Sequence, residues 1–453
     1  MTLALESFAP LPAHGLLTFL VEVAVLLGCA RLLGAVSLRV GLPAMAGELL
    51  AGVILGPSVL AHLAPGLWHW LFPPQAAQIN LLDATAQLGV VLLVGLAGMH
   101  LDVGRLRKRA RAAATISVFG LVIPLVLGVG FGWLAPVPLR PNGIHQNIFA
   151  LFIGVAVCVT AIPVIAKVLM ELKLTHRNVG QLIMTAAMID DAVGWFLLSL
   201  VSALSTAGAL TLGGVLRPIG FLCGVGLFAT TAGRFLVRWI IRRASSAADP
   251  AAVPGAVVVL LVAGAAATHA MGLEAILGAF VVGTLIGTSG VRPAALMPLN
   301  SVVMSVLAPV FFATAGLRMD LSTLGDPVVL GAGAALLAVA IAGKFAGAFL
   351  GGRLSGLNRH ESLALGAGMN ARGVVEVIIA TVGLRLGVLG TEAYTVLVLV
   401  AVVTSLMAPP ILRRAMARSE LTTEETLRAE RMKDLVGPEH PAASDHPTLE
   451  EAS

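Results

Sequence analysis

Asp190 and Asp191 are adjacent carboxylates in the middle of an apolar stretch, VGQLIMTAAMIDDAVGWFLLSLVSAL. About 11 residues precede the pair, and a helix rises about 1.5 Å per residue, so the pair falls near the midplane of a roughly 30 Å hydrocarbon core. A charged side chain at that depth costs at least a few kcal/mol, and it is usually retained for a function. Acidic groups there bind cations, relay protons or do both. The pair therefore directs the search towards ion transport.

The composition of the whole chain is that of a membrane protein. Hydrophobic residues make up 58% of the sequence, charged residues 12%, and the mean hydropathy is +0.95. A soluble domain has about 25% charged residues, whereas 50 glycines suit the close packing of membrane helices. The three cysteines are odd in number and far apart, so they predict neither a disulfide framework nor a metal cluster. We expect an all-α polytopic membrane protein that uses no cofactor and is not an enzyme.

Hydropathy divides the chain into about 13 spans, each close to the roughly 20 residues that a membrane helix needs. The spans are predicted at 15–35, 42–60, 82–100, 113–135, 147–169, 179–203, 218–241, 251–270, 273–290, 297–317, 327–350, 361–383 and 391–412.

Lys and Arg predict the orientation of these spans. With the N-terminus outside, 23 of the 29 basic residues fall on the cytoplasmic side, and the opposite orientation would violate the positive-inside rule. The basic clusters, such as GRLRKRAR at 104–111, are therefore expected to face anionic lipid and to bind no nucleic acid. The sequence predicts an external segment at 1–14 and a partly disordered cytoplasmic tail at 413–453. We expect an integral protein of a bacterial inner membrane.

Two of the predicted spans have interrupted centres. Pro163 in span 5 is expected to break the helix near Thr160, because proline removes a backbone donor and clashes with the preceding turn. Span 12 has a polar centre that contains Asn370, Arg372 and Glu376. The two spans run in opposite directions, and interrupted helices at corresponding places in inverted halves indicate a transporter site.

Lys344 is an isolated cation in span 11, which runs antiparallel to span 6. It could pair with the carboxylates if the two helices pack together, or extend to the cytoplasmic face by snorkelling; we favour pairing. For Arg372 and Glu376 we favour a structural pair that braces the crossover over a role as substrate ligands. Glu48 in span 2 either lines an entry funnel or makes a helix-end contact.

These stretches together resemble the second monovalent cation/proton antiporter family, which includes NapA-type sodium/proton exchangers, plant cation/proton exchangers and Kef systems. The matching segments follow the order of that family over most of 15–412. They are GLPAMAGELLAGVILGPSVL (41–60), LGVVLLVGLAGMHLD (88–102), VTAIPVIAKVLMELKL (159–174), AAMIDDAVGW (186–195), APVFFATAGLRMDL (308–321) and GMNARGVVEVIIA (368–380).

The resemblance implies a sodium/proton antiporter fold with two crossing broken helices and a homodimer that works by an elevator mechanism. Spans at 113–203 and 327–412 would form the moving core, those at 15–100 and 251–317 the scaffold and dimer surface, and 218–241 the linker. Asp191 would bind cation and proton in turn, with Asp190 as the partner of Lys344. Thr160 would assist the cation at one crossover, with Arg372 at the other. A double Asp with a Lys implies electrogenic exchange.

Four functions compete on these observations. The first is a secondary antiporter that exchanges Na⁺, K⁺ or Li⁺ for protons. The second is a Kef-type gated K⁺ efflux system, which generally carries a C-terminal nucleotide-binding domain that the predicted tail does not resemble. The third is an intramembrane aspartyl protease, but side chains at i and i+1 point about 100° apart on a helix and make a poor catalytic dyad. The fourth is a purely structural or receptor-like bundle, which would not need unpaired acids at the midplane. We favour the antiporter.

Overall fold

The computed structural model describes residues 12–73, 75–99, 110–172, 174, 177–206, 212–247, 249–417 and 425. Within these ranges the chain is helical and contains no strand. Ten helices are long and apolar enough to cross a membrane, and one pair bent by 43° counts as an eleventh span. Two shorter apolar helices, Gln146–Cys158 and Ala275–Gly287, match predicted spans 5 and 9. The predicted all-α membrane architecture is confirmed.

The helices that match the 13 predicted spans are labelled α1 to α13, and a span divided by a break has halves a and b. Their bounds are α1 Ala13–Arg39, α2 Ala44–Leu55, α3 Ala76–Met99, α4 Ala110–Leu134, α5a Gln146–Cys158, α5b Ile162–Glu171, α6 Asn178–Thr206, α7 Leu212–Phe228 continued by Arg234–Ser245, α8 Ala252–Ala270, α9 Ala275–Gly287, α10 Pro293–Val302 continued by Ala308–Leu317, α11 Pro327–Leu354, α12a Arg359–Met369, α12b Val374–Arg385 and α13 Thr391–Met416. Short π-helical turns join the two parts of α7 and of α10. Two short helices, Leu60–Leu63 and Pro65–Leu71, connect α2 to α3.

The helices pack as two groups. One group contains α4, α5, α6, α11, α12 and α13, and the other contains α1, α2, α3, α8, α9 and α10. Helix α7 lies between them and contacts α6, α8 and α9.

The predicted external segment at 1–14 falls mostly on residues 1–11, which lie outside the described residues. The predicted tail beyond Ala417 also lies outside them, except for Glu425.

Glycines let α11 approach α4 more closely than larger side chains would permit. Gly343, Gly347 and Gly351 recur every four residues and therefore share one face of α11. A Cβ atom added at Gly347 would lie 2.3 Å from the carbonyl oxygen of Phe119, and one at Gly351 would lie 2.7 Å from Cα of Ile116. This close packing brings Lys344, next to Gly343, deep into the first group of helices.

Both predicted helix breaks are present. Span 5 is non-helical at 159–161, and Pro163 lies in the first turn of α5b, where a missing backbone donor is tolerated. Span 12 is interrupted at 370–373, where Gly373 has a φ of +152°, a value that side-chain-bearing residues rarely adopt. The two breaks meet, because the amide of Ala161 donates to the carbonyl of Ala371 at 3.3 Å. The expected crossing of two broken helices is confirmed.

Candidate functional site

Asp190 lies on α6 beside the crossing and accepts three hydrogen bonds from three other segments. Ser117 of α4 donates to Oδ1 at 2.5 Å, and Thr160 in the α5 break donates to Oδ2 at 2.9 Å. The Nζ atom of Lys344 lies 2.8 Å from the same Oδ2 atom. The carboxylate is fully buried. A buried carboxylate with an opposite charge and two hydroxyl donors has its charge compensated in place.

Lys344 is also fully buried, so it does not snorkel to the membrane surface. In addition to Asp190, its ammonium donates to the carbonyl of Gly120 on α4 at 2.9 Å and to that of Cys158 at 2.6 Å. An ammonium has three donors, and these three acceptors use all of them. Cys158 is the last residue of α5a, and the negative end of a helix dipole favours a cation there.

Asp191 differs from its neighbour in the hydrogen bonding of its carboxylate. Its side chain is 2% exposed, and its Oδ1 atom has no hydrogen-bond partner among the residues that the structure describes. Buried polar atoms without a partner are rare in proteins and call for an explanation such as a bound ion or water. Of the two carboxylates, Asp191 is the one with a buried oxygen that no described residue bonds.

Asn370 contributes a second set of uncompensated polar atoms at the α12 break. Both its Oδ1 and its Nδ2 are buried, and neither finds a partner within the described part of the chain. Asn370 directly precedes Ala371, which is bonded to the α5 break. The crossing therefore holds a free carboxylate oxygen on α6 and a free amide at the end of α12a.

Arg372 and Glu376 form the expected pair, but not on a continuous helix. Arg372 lies in the α12 break and Glu376 in the first turn of α12b, with Nη1 3.4 Å from Oε1. Arg372 also donates to the carbonyl of Ala340 on α11 at 3.1 Å, and Ser405 of α13 donates to the carbonyl of Arg372. These contacts join α11 and α13 to the break, as a bracing role requires.

Glu48 lies apart from the crossing. It is 6% exposed on α2, and a Cβ atom added at Gly34 of α1 would lie 3.3 Å from its Cγ atom. The structure thus places Glu48 at the contact of α1 with α2. Its part in an entry funnel stays a prediction.

Ser117 is the site residue that the sequence analysis did not identify. It is the single serine of an apolar helix and lies 73 positions before Asp190. Serine is common in membrane helices, where it bonds its own backbone or a neighbouring helix. Its only sequence signal is that it precedes Gly120 by three residues, so that both fall on one face of α4. That face meets Lys344 and Asp190.

Comparisons with known proteins agree with this geometry. Residues 24–418 match the family described as "Sodium/hydrogen exchanger, transmembrane". The chain is 31% identical to the Na⁺/H⁺ antiporter NhaS4 of Synechocystis sp. over 87% of this chain and 96% of that protein. It is also 32% identical to cation/H⁺ antiporter 19 of Arabidopsis thaliana. That alignment covers 82% of this chain and only 46% of the relative.

A solved structure shows the same fold. The sodium/proton antiporter MjNhaP1 of Methanocaldococcus jannaschii superposes with a TM-score of 0.66 at 15% identity, over 89% of this chain and 99% of that one. The predicted relationship to exchangers, including those of plants, is confirmed. Paired carboxylates at crossed broken helices, together with a match over most of the sequence, show that the chain belongs to the transmembrane sodium/hydrogen exchanger family.

Proposed function

We propose that this protein is a secondary antiporter that exchanges a monovalent cation, Na⁺, K⁺ or Li⁺, for protons. The observation that carries the proposal is the contrast within the carboxylate pair. Asp190 is compensated by Lys344 and two hydroxyls, whereas Asp191, one residue later, keeps a buried Oδ1 atom without a partner in the described chain. A buried carboxylate of this kind is stabilised by either a cation or a proton, and not by both together.

Competition for one group explains coupling. When the site faces one side of the membrane, Asp191 gives up a proton and takes a cation, and on the other side the reverse occurs. Oxygen atoms suit alkali cations, and the site offers the carboxylate of Asp191, the hydroxyl of Thr160 and the amide oxygen of Asn370. Half-helix ends and unwound backbone at a membrane crossing are typical of ion sites in transporters.

Lys344 gives the exchange its electrogenic character in this proposal. If a cation draws Asp190 into its coordination, the Asp190–Lys344 pair breaks, and Lys344 is left buried without its counter-ion. Breaking a buried ion pair leaves an uncompensated buried charge, which is strongly unfavourable. We propose that this cost couples Lys344 to the transport cycle, so that each cycle moves more protons than cations.

The arrangement of the helices suggests how the site changes sides. We propose that α4–α6 and α11–α13 move as one body against α1–α3 and α8–α10, with α7 as the link between them. This division follows the packing of the two groups. We also propose that the second group supplies the surface of a homodimer, and that the protein lies in a bacterial inner membrane with its N-terminus outside.

Proteoliposomes with an internal pH dye test the proposal. Na⁺, K⁺, Li⁺ or choline is added in turn, because the relatives are named for Na⁺ in one case and for K⁺ in another. Proton movement driven by an alkali cation but not by choline is expected. If exchange is electrogenic, the rate of cation-driven proton movement should change when the membrane voltage is clamped by a method that does not use potassium. Folded protein that moves no protons with any of the cations would overturn the proposal.

A further inference from the structure

A cavity with several polar side chains lies away from the carboxylate pair, among α1, α3, α10 and the short helix Pro65–Leu71. Its volume is about 240 Å³. The residues that line it are Glu22, Trp68, Phe72, Pro73, Gln78, Ile79, Leu82, Asp83, Thr314, Leu317 and Arg318. Apart from this short helix, the contributing helices belong to the second group, whereas the carboxylate pair lies in the first.

Four polar atoms in this cavity have no hydrogen-bond partner in the described part of the chain. Three of them accept hydrogen bonds, namely Oε2 of Glu22, Oε1 of Gln78 and Oγ1 of Thr314, and the fourth is the indole N–H of Trp68. The side chains of Glu22, Gln78 and Thr314 are 2%, 5% and 5% exposed. Buried polar atoms are nearly always paired in proteins, and four unpaired atoms around one cavity indicate a bound polar group.

The charges around the cavity favour a cation. Arg318 is engaged by Asp83, which offsets its charge. Glu22 then remains as a carboxyl group of the lining that no basic side chain of the described residues engages. The side chains of Arg318 and Asp83 are 25% and 32% exposed, so the cavity reaches the surface on their side.

The number and kind of free acceptors distinguish an organic cation from a metal ion. Hard metal cations such as Ca²⁺ and Mg²⁺ take about six or more oxygen ligands, whereas the buried unpaired oxygens of the described lining come from three side chains, Glu22, Gln78 and Thr314. A primary ammonium carries three N–H donors in a compact group, one for each of these three side chains. Most of the lining is apolar, with Phe72, Ile79, Leu82 and Leu317 at the wall. Apolar walls with a few fixed polar groups are typical of sites for small organic molecules.

We propose that this cavity is a binding site for a small primary organic ammonium with an apolar body. The ammonium donates to Glu22, Gln78 and Thr314, and the body packs against the apolar wall and the indole of Trp68. The site adjoins the interface between the two groups of helices, because Asp83, Thr314 and Arg318 also line a small neighbouring space with Thr381 of α12b. An ammonium bound in this cavity can therefore influence the movement of the two groups of helices against each other.

Isothermal titration of the purified full-length protein with three benzyl compounds tests the site without any transport measurement. Benzylammonium has the charge and the three donors, benzyltrimethylammonium has the charge alone, and benzyl alcohol has neither. Benzylammonium is expected to bind at least about tenfold more tightly than the other two, because hydrogen bonds to charged groups contribute about 1.5–3 kcal/mol. Equal binding of all three compounds, or of none, would overturn the proposal.

Variants locate the binding. Glu22→Gln, which keeps the size of the side chain, is expected to weaken benzylammonium binding by about tenfold or more, and Thr314→Val should weaken it less. Glu392→Gln removes a carboxylate outside the cavity and should leave the affinity unchanged. If NaCl displaces benzylammonium and the same concentration of choline chloride does not, the cavity is an inorganic cation site and the proposal fails. The series of compounds on the unmodified protein decides the question even if a variant does not fold.

Discussion

Lys344 and Asp190 form an ion pair in which neither side chain has any exposed surface, with Nζ 2.8 Å from Oδ2. The neighbouring Asp191 faces no comparable donor among the residues described, at least at its Oδ1 atom. Two adjacent residues of the same type thus have opposite environments. A charge that is held in place suits a fixed structural and electrostatic role, whereas an uncompensated one suits reversible binding.

Asp191→Asn should abolish exchange, because the amide cannot bind a cation and a proton in turn. We expect cation-driven proton movement in proteoliposomes to fall to the level of protein-free vesicles. Asp249→Asn makes the same chemical change at an exposed loop position and should leave the rate unaltered. Size-exclusion profiles of both variants should match that of the unmodified protein. Substantial residual exchange in Asp191→Asn would remove that residue from the mechanism.

Removing one partner of the Lys344–Asp190 pair should destabilise the protein strongly. Truncation of one member of a buried pair costs about 3–5 kcal/mol because it leaves the other charge unpaired. Lys344→Ala should therefore lower the melting temperature markedly. Lys344→Met combined with Asp190→Asn removes both charges and should recover most of the loss. If the double variant melts as low as Lys344→Ala, the destabilisation comes from packing rather than from charge.

The same pair has a functional readout. In protein that remains folded, Lys344→Ala should change the pH dependence of exchange or the charge moved per cycle. The proteoliposome assay under a voltage clamp measures both. Unchanged values of both would mean that the ammonium has only a structural part.

Gly347→Ala tests the close approach of α11 to α4. The added Cβ would lie 2.3 Å from the Phe119 carbonyl oxygen, so the two helices must separate. Overpacking of this kind costs about 1–3 kcal/mol, and we expect both a lower melting temperature and slower exchange. Gly331→Ala on the same helix is the control, because its Cβ would meet nothing within 4 Å. Equal behaviour of the two variants would contradict the role given to the packing.

Bridging the two groups of helices should stop transport if they move against each other. Glu274 at the start of α9 is bonded to Ser202 of α6 at 2.5 Å and to Arg385 of α12b at 2.6 Å. In a background without the three native cysteines, Glu274→Cys with Arg385→Cys can be joined by a short bifunctional thiol reagent. We expect exchange to stop and to return when the bridge is reduced. The single variants treated alike are the controls, and full activity in the bridged protein would rule out relative motion of these groups.

The sequence predicted most of what depends on local chemistry. Long apolar segments indicated the helices, and Pro163 together with the polar residues around Asn370 indicated where two of them break. The partners of the carboxylates depended instead on contacts between distant segments. Ser117 was missed because a single serine in an apolar helix has no distinctive signal. The choice between pairing and snorkelling for Lys344 depended on the distance between α4 and α11. Three glycines without side chains allow that distance to be short.

The cavity around Glu22 shows the same limit. Its lining comes from α1, the connection that precedes α3, and the end of α10. Each polar residue taken alone is an isolated polar side chain in a largely apolar segment. Only the packing of the three segments shows that their free acceptors surround one space.

Four contacts between the two groups of helices lie at the end where α6, α10 and α12 finish. Besides those of Glu274, the Tyr394 hydroxyl donates to the Ala315 carbonyl at 2.7 Å, and the hydroxyl of Thr395 accepts from the amide of Asp320 at 3.1 Å. In the proposed orientation this end faces outwards. These contacts hold the two groups together on the outer side, and breaking them would contribute to the activation barrier of the outward step. The transport cycle would accordingly be kinetically asymmetric, with the outward step slower than the return in the absence of a driving gradient.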